Sequence, residues 1–210
     1  MKYDYIAFDI DGTLIDTRDT FTYSFARTIL ELKGETVSPD DLVRYFGLPS
    51  MTGIEQVGFP DPVAALELWE KFYREMAASK SKPYPGVHEA LGRIVASGIR
   101  IGVITSRSRD EFEYDPNLHP WRGWLKTVVC ADDTLKHKPD AEPALAFASR
   151  AGVPVSRCLY VGDTILDSQC AAAAGMDFAL ACWRGISAGI PCDYRFTNAG
   201  EMLAAALTME

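Results

Sequence analysis

The stretch YIAFDIDGTL, residues 5–14, places two carboxylates one residue apart at the end of an apolar run that predicts a β-strand. Side chains two positions apart on an extended backbone point to the same side, so Asp9 and Asp11 should face one space beyond the strand. A divalent cation, or a proton on one carboxylate, relieves their repulsion. Gly12 allows a sharp turn, and Thr13 adds a hydroxyl and a backbone N–H for an anion. Alone, the pattern is equally compatible with an Asp-Gly turn whose carboxylates are solvated.

Two later segments also place polar groups after strand-like or loop residues. Thr105 and Ser106 follow the apolar run 101–104, where their hydroxyls could bind phosphoryl oxygens. Lys138 would supply a fixed positive charge and stands just before Pro139, which we expect to begin a helix.

A fourth segment carries a second pair of carboxylates. Asp163 and Asp167 follow the apolar run 159–161 and Gly162, and carboxylate oxygens are good ligands for magnesium. Ligands of parallel sheets bind beyond the carboxyl ends of the strands, which is where all these polar groups are placed. The sequence therefore predicts a single active-site cluster.

The four segments, in this order, resemble the signature motifs of the haloacid dehalogenase (HAD) superfamily, in its phosphatase branch with a helical cap. The resemblance runs from Phe8 to about Met176. It implies that Asp9 attacks phosphorus and becomes an aspartyl phosphate, which water then hydrolyses. Asp11 would protonate the leaving oxygen and later take a proton from water.

The same resemblance implies a magnesium cofactor and a set of phosphate ligands. Mg²⁺ would bind a carboxylate oxygen of Asp9, the backbone carbonyl of Asp11 and the carboxylate of Asp163, with Asp167 beside or behind this shell. The phosphoryl oxygens would be held by Gly12, Thr105, Ser106 and Lys138.

Short apolar runs alternate with helical patterns along most of the chain, which predicts an α/β fold: a Rossmann-like parallel sheet flanked by helices. The strand-like runs are Tyr3–Phe8, Ile99–Ile104, Thr127–Cys130, Cys158–Val161 and Phe178–Ala181. We expect residues 1–15 and 84–210 to form the catalytic core and residues 16–83 an inserted small α-helical cap.

The expected cap lacks strand signals and contains two apolar stripes with helical spacing. One includes Phe21 and Phe25, and the other runs from Val63 to Met76. The segment 46–53 is rich in Gly and Pro and is expected to be a loop, the place where relatives read the leaving group.

Composition argues against nucleic-acid and membrane partners and bears on the cellular compartment. The net charge of -8 opposes nucleic-acid binding, and no apolar run approaches the roughly 18 residues of a membrane-spanning helix. Five cysteines without a C-x-x-C pair are typical of buried thiols in a reducing compartment, so we expect a cytoplasmic protein. The expected partner is a small phosphorylated metabolite, phosphoglycolate-like or a sugar phosphate, and the chain would be a monomer or homodimer.

Three other functions share parts of this pattern. A phosphomutase of the β-phosphoglucomutase type needs cap residues for a second phosphate, and residues 46–58 contain no arginine or lysine. Dehalogenase chemistry needs no acid at Asp11 and no metal. A non-catalytic, receiver-like phosphate-binding module has similar residues in a different order. Arg107 and Arg109 could contact a leaving group, but we expect both on the surface.

Overall fold

The computed structural model describes residues 2–185 and 189–208. Their β-strands, in chain order, are β1 (Tyr5–Phe8), β2 (Ile15–Asp16), β3 (Lys82–Pro83), β4 (Arg100–Ile104), β5 (Leu125–Val129), β6 (Cys158–Gly162), β7 (Asp177–Ala181) and β8 (Tyr194–Phe196). The α-helices are α1 (Arg18–Lys33), α2 (Ser50–Val57), α3 (Pro62–Lys80), α4 (Val87–Ala96), α5 (Arg109–Tyr114), α6 (Glu142–Ala151), α7 (Ile165–Ala174) and α8 (Ala199–Thr208). Short 3-10 helices cover Pro39–Tyr45, Pro116–Trp121, Ala131–Asp133 and Val155–Arg157.

The main sheet is parallel, with the strand order β5-β4-β1-β6-β7-β8. The chain moves outward from β1 to β4 and β5 and then returns to β6 on the other side of β1, so the order reverses at β1. Phe8 is in register with Val103 of β4 and with Val161 of β6. The carboxyl ends of these three strands therefore lie at one level. The predicted α/β class is confirmed, although β8 and the two-residue strands were not expected.

Both faces of the sheet are buried, which explains why its strands are continuously apolar. Ile6 and Phe8 of β1 belong to one buried cluster, together with residues of α4 and α8. Tyr5 and Ala7 point to the opposite face and join a second cluster with residues of α6 and α7.

The chain divides into two compact units, Met1–Ile15 with Pro83–Glu210 and, separately, Asp16–Lys82. The second unit contains α1, α2 and α3 and has its own core, in which the rings of Phe21 and Trp69 meet edge to face at 5.7 Å. No helix in the described ranges is long and apolar enough to cross a membrane.

Two local predictions for the second unit were wrong. Helix α2 begins at Ser50, inside the segment expected to be a loop, and it buries Gly53 and Ile54 in the core of this unit. Val63 lies in the first turn of α3 and is 59% exposed, whereas Trp69 and Phe72 further along the helix are buried.

Candidate active site

Asp9 follows β1 directly and lies at the centre of the site. Its backbone N–H donates to the Val161 carbonyl of β6 (2.9 Å), and the residue is only 3% exposed. Its Oδ1 accepts a hydrogen bond from Lys138 Nζ at 2.9 Å. Burial raises the pKa of Asp9 to about 7 against the opposing attraction of Lys138, and the charges of Asp167 and Asp11 raise it further.

Gly12 allows the turn after β1 to pass close to a second carboxylate. Its φ is +80°, and a Cβ at this position would lie 2.1 Å from Asp163 Oδ2. Its backbone N–H donates to the Ile15 carbonyl (2.9 Å), and the lack of a side chain is what the close approach of Asp163 requires. Thr13 Oγ1 donates to Asp163 Oδ1 at 3.3 Å.

Lys138 bridges Asp9 and a deeper carboxylate, Asp167. Its Nζ donates to Asp167 Oδ1 at 2.7 Å, and the same oxygen accepts from the hydroxyl of Tyr160 at 2.7 Å. Asp167 Oδ2 accepts from the backbone N–H of Thr164 at 3.0 Å. Burial opposes ionisation of Asp167, but Lys138 and the hydroxyls of Thr164 and Tyr160 more than offset it and hold its pKa below the usual value. Burial likewise opposes the charge on Lys138, yet Asp167 and Asp9 raise its pKa above the usual value. Lys138 and Asp167 thus form a buried ion pair.

The helix after Lys138 begins later than predicted. It starts at Glu142, whose N–H donates to Asp140 Oδ1 at 2.9 Å, and not at Pro139. The side-chain acceptor of Asp140 therefore marks the helix start more closely than the proline does.

Asp9, Asp163 and Asp167 form a group that could hold a cation. Each offers a carboxylate oxygen, and these oxygens lie within 4.8 Å of one another. Burial, with the charges of Asp167 and Asp9, raises the pKa of Asp163 well above its usual value. Three carboxylates face one ammonium, Lys138, so an ionised group keeps a net negative charge that a hard divalent cation would neutralise. The donor set therefore fits Mg²⁺. Since Lys138 and nearby donors already occupy Asp167, the oxygens of Asp9 and Asp163 are the more available ligands.

Thr105 and Ser106 follow β4 at the same edge of the sheet. The backbone N–H of Thr105 donates to the Val129 carbonyl at 3.0 Å, and its hydroxyl oxygen accepts from the backbone N–H of Arg107 at 3.2 Å. Thr105 is only 4% exposed. That hydroxyl can donate its own proton to an oxygen in the site.

Arg107 is buried, with 6% exposure, so its predicted place on the surface was wrong. Its Nε and Nη2 donate to Asp11 Oδ2 and Oδ1 at 2.7 and 2.8 Å, and its Nη1 donates to Asp115 Oδ2 at 2.7 Å. Two carboxylates therefore offset the cost of burying its charge. Arg109 pairs with Asp133 at 2.5 Å and is partly exposed, with 36% of its side chain accessible. The carboxylate of Asp11 thus faces Arg107, and it is not one of the three carboxylates grouped around Asp9.

Sequence reasoning missed two other residues that contact the site loops. Tyr160 donates to Asp167, as described above, and Trp183 donates its indole N–H to the Thr13 carbonyl at 2.7 Å. Trp183 follows β7, so the rule that sites form beyond the carboxyl ends of strands could have indicated it.

Comparisons with known proteins identify the family. The family model of the haloacid dehalogenase-like hydrolases matches residues 6–181, and the chain belongs to this family. A phosphoglycolate phosphatase of Xylella fastidiosa is 31% identical over 185 residues, covering 85% of this chain and 80% of that protein. The pyrophosphatase PpaX of Bacillus velezensis is 28% identical, covering 85% and 82%.

Solved structures show the same fold. The structure of CbbY from Rhodobacter sphaeroides in complex with phosphate has a TM-score of 0.82 and 19% identity, covering 95% of this chain and 96% of that one. The predicted family and its enzyme class, a hydrolase of the phosphatase type, are confirmed by these matches.

Proposed function

We propose that this chain is a magnesium-dependent phosphatase that hydrolyses a small phosphorylated metabolite through an aspartyl phosphate on Asp9. The observation that carries the proposal is a buried carboxylate at a strand end, hydrogen-bonded to Lys138 and grouped with Asp163 and Asp167. A phosphoglycolate-like ester or a sugar phosphate is the substrate class, supported by relatives named phosphoglycolate phosphatase.

The first step transfers the phosphoryl group to Asp9. A carboxylate oxygen of Asp9 forms the new bond to phosphorus while the ester P–O bond breaks, and Asp11 donates a proton to the departing oxygen. Lys138 holds Asp9 Oδ1 and adds positive charge against the incoming phosphoryl group. The hydroxyls of Thr105 and Ser106 can donate to the phosphoryl oxygens.

The second step regenerates the enzyme. Asp11, now a carboxylate, removes a proton from water, whose oxygen bonds to phosphorus as the acyl phosphate P–O bond breaks. Asp9 returns to its free carboxylate and inorganic phosphate leaves. The two steps thus use Asp11 as an acid and then as a base.

Asp9, Asp163 and the backbone carbonyl of Asp11 would hold Mg²⁺, with Asp167 behind them. When bound, the ion supplies positive charge that offsets both the carboxylates and the phosphoryl oxygens. Asp167 instead keeps Lys138 in place, since its oxygens already accept hydrogen bonds from protein donors.

A cytoplasmic location is part of the proposal. It is supported by five cysteines, all with free thiols, because unpaired cysteines are typical of reducing compartments.

Phosphate release from a panel of esters tests the function. The panel contains 2-phosphoglycolate, several sugar phosphates and pyrophosphate, each with Mg²⁺ and with excess chelator. We expect release from one or a few substrates, and its loss in Asp9→Asn and in chelator. Asp110→Asn, at an exposed carboxylate on α5, is the matched control and should keep full activity. A folded native protein that releases phosphate from no substrate would contradict the proposal.

A further inference from the structure

Arg107 and its two carboxylate partners form a bridge next to the reacting groups. The guanidinium binds both oxygens of Asp11 through two parallel hydrogen bonds, of 2.7 and 2.8 Å. This bidentate geometry sets the plane of the carboxylate as well as its position. The side chains of Arg107 and Asp11 are 7% and 20% exposed, so water competes little for these bonds.

The guanidinium is itself held from the side away from Asp11. Its Nη1 donates to Asp115 Oδ2 at 2.7 Å. The other oxygen of Asp115 accepts from the backbone and side-chain nitrogens of Asn117, at 2.8 and 3.0 Å. The backbone of Arg107 is also tied down, because its carbonyl accepts from the N–H of Ala131 at 2.8 Å. Each link from Asn117 to Asp11 is therefore a direct hydrogen bond between buried or partly buried groups.

We propose that Arg107 is a positioning residue for the acid and base Asp11, and that Asp115 fixes Arg107 for this task. The inference rests on the proposed phosphatase function, in which Asp11 protonates the leaving oxygen. An acid or base has to lie within hydrogen-bond reach of the atom that takes or gives the proton, and a small displacement lowers its efficiency. Arg107 holds both oxygens of the carboxylate form of Asp11, and the oxygen without the proton can keep its hydrogen bond when Asp11 acts as the acid. Three N–H groups of Arg107 donate to carboxylates, two of them to Asp11, so its role in this proposal is exerted through Asp11.

The test compares two esters that need the acid to different degrees. The alkoxide that leaves an alkyl ester such as glycerol 2-phosphate requires protonation, whereas the stable phenolate that leaves 4-nitrophenyl phosphate does not. The quantity measured is kcat/KM, which reports the steps up to departure of the leaving group and excludes hydrolysis of the aspartyl phosphate. The variants are Arg107→Lys and Asp115→Asn. Arg109→Lys is the control, since that arginine pairs with Asp133 away from Asp11.

We expect Arg107→Lys to lower kcat/KM for the alkyl ester roughly 10-fold to 100-fold and for the aryl ester less than about 3-fold. Asp115→Asn should show the same selectivity to a smaller degree, because it weakens the anchor and leaves Arg107 in place. In the Asp11→Asn background, Arg107→Lys should cause no further loss on the alkyl ester, since the residue that it positions is already disabled.

Equal losses on both esters, or a further loss in the Asp11→Asn background, would show a structural role or a substrate contact and overturn the inference. Circular dichroism and thermal unfolding identify a variant that fails to fold; if Arg107→Lys does so, the milder Asp115→Asn decides the outcome. An unchanged alkyl to aryl ratio in Asp115→Asn then overturns the inference. A native protein inactive on both esters and on the wider panel would instead refute the proposed function, and the inference with it.

Discussion

Replacing the proposed nucleophile should stabilise the protein in the absence of metal. The pKa of Asp9 rises from its usual 3.8 to about 7, chiefly because the carboxyl is buried. That rise corresponds to roughly 4 kcal/mol of unfavourable free energy for ionising Asp9 in the folded protein. Asp9→Asn cannot ionise, and its side-chain oxygen can still accept the hydrogen bond from Lys138.

The sign of the pH dependence follows from proton uptake. Between about pH 4 and pH 7 the folded protein keeps the Asp9 proton that the unfolded chain has lost, so the free energy of unfolding falls as the pH rises. The advantage of Asp9→Asn over the native protein should therefore grow from about 1.5 kcal/mol at pH 5 to about 4 kcal/mol at pH 8. Urea unfolding followed by circular dichroism, in excess chelator, measures it.

A neighbouring carboxylate provides a control of opposite sign. The pKa of Asp167 is below its usual value because Lys138, Thr164 and Tyr160 offset the effect of its burial. Asp167→Asn should therefore destabilise the protein, by about 3 kcal/mol, because it leaves Lys138 with one buried partner fewer. The reasoning is refuted if Asp9→Asn is no more stable than the native protein at pH 8, or if its advantage is the same at pH 5.

Two further predictions concern stability away from the reacting groups. A Cβ at Gly102 would lie 2.2 Å from the backbone oxygen of Thr127, so Gly102→Ala should cost at least about 2–3 kcal/mol by urea unfolding. A Cβ at Gly123 would have no atom within 4 Å, so Gly123→Ala should leave the free energy of unfolding nearly unchanged. Equal effects of the two substitutions would contradict the steric argument. Burial opposes ionisation of Asp133, but a backbone N–H and two arginines lower its pKa below 3.8. Asp133→Asn should therefore cost about 1 kcal/mol at pH 7. The cost should shrink as the pH falls below about 4, because the carboxyl of the unfolded chain then gains its proton while the ion pair still keeps the native carboxyl ionised. A difference undiminished at pH 3 would argue against this ion pair.

The sequence by itself predicted the sheet and the groups assembled at its edge. Asp9, Thr105 and Asp163 each come directly after, or one residue beyond, an apolar run that local patterns identify as a strand. Parallel strands in register end at the same level. The residues that follow such strands therefore lie close together, regardless of how the side chains pack. The family followed from the same motifs, because their order along the chain is specific.

Only the tertiary structure decided how these groups divide their tasks. Asp11 and Arg107 are 96 positions apart, and their pairing depends on side-chain directions and on a buried anchor, Asp115, that no local pattern encodes. The local pattern shows Asp163 and Asp167 only as two carboxylates after one strand, and it was the family resemblance that placed Asp167 beside or behind the metal ligands. In the fold, Asp167 is buried on Lys138 while Asp163 stays available for a cation, because burial and hydrogen-bond donors set the charge state of each carboxylate.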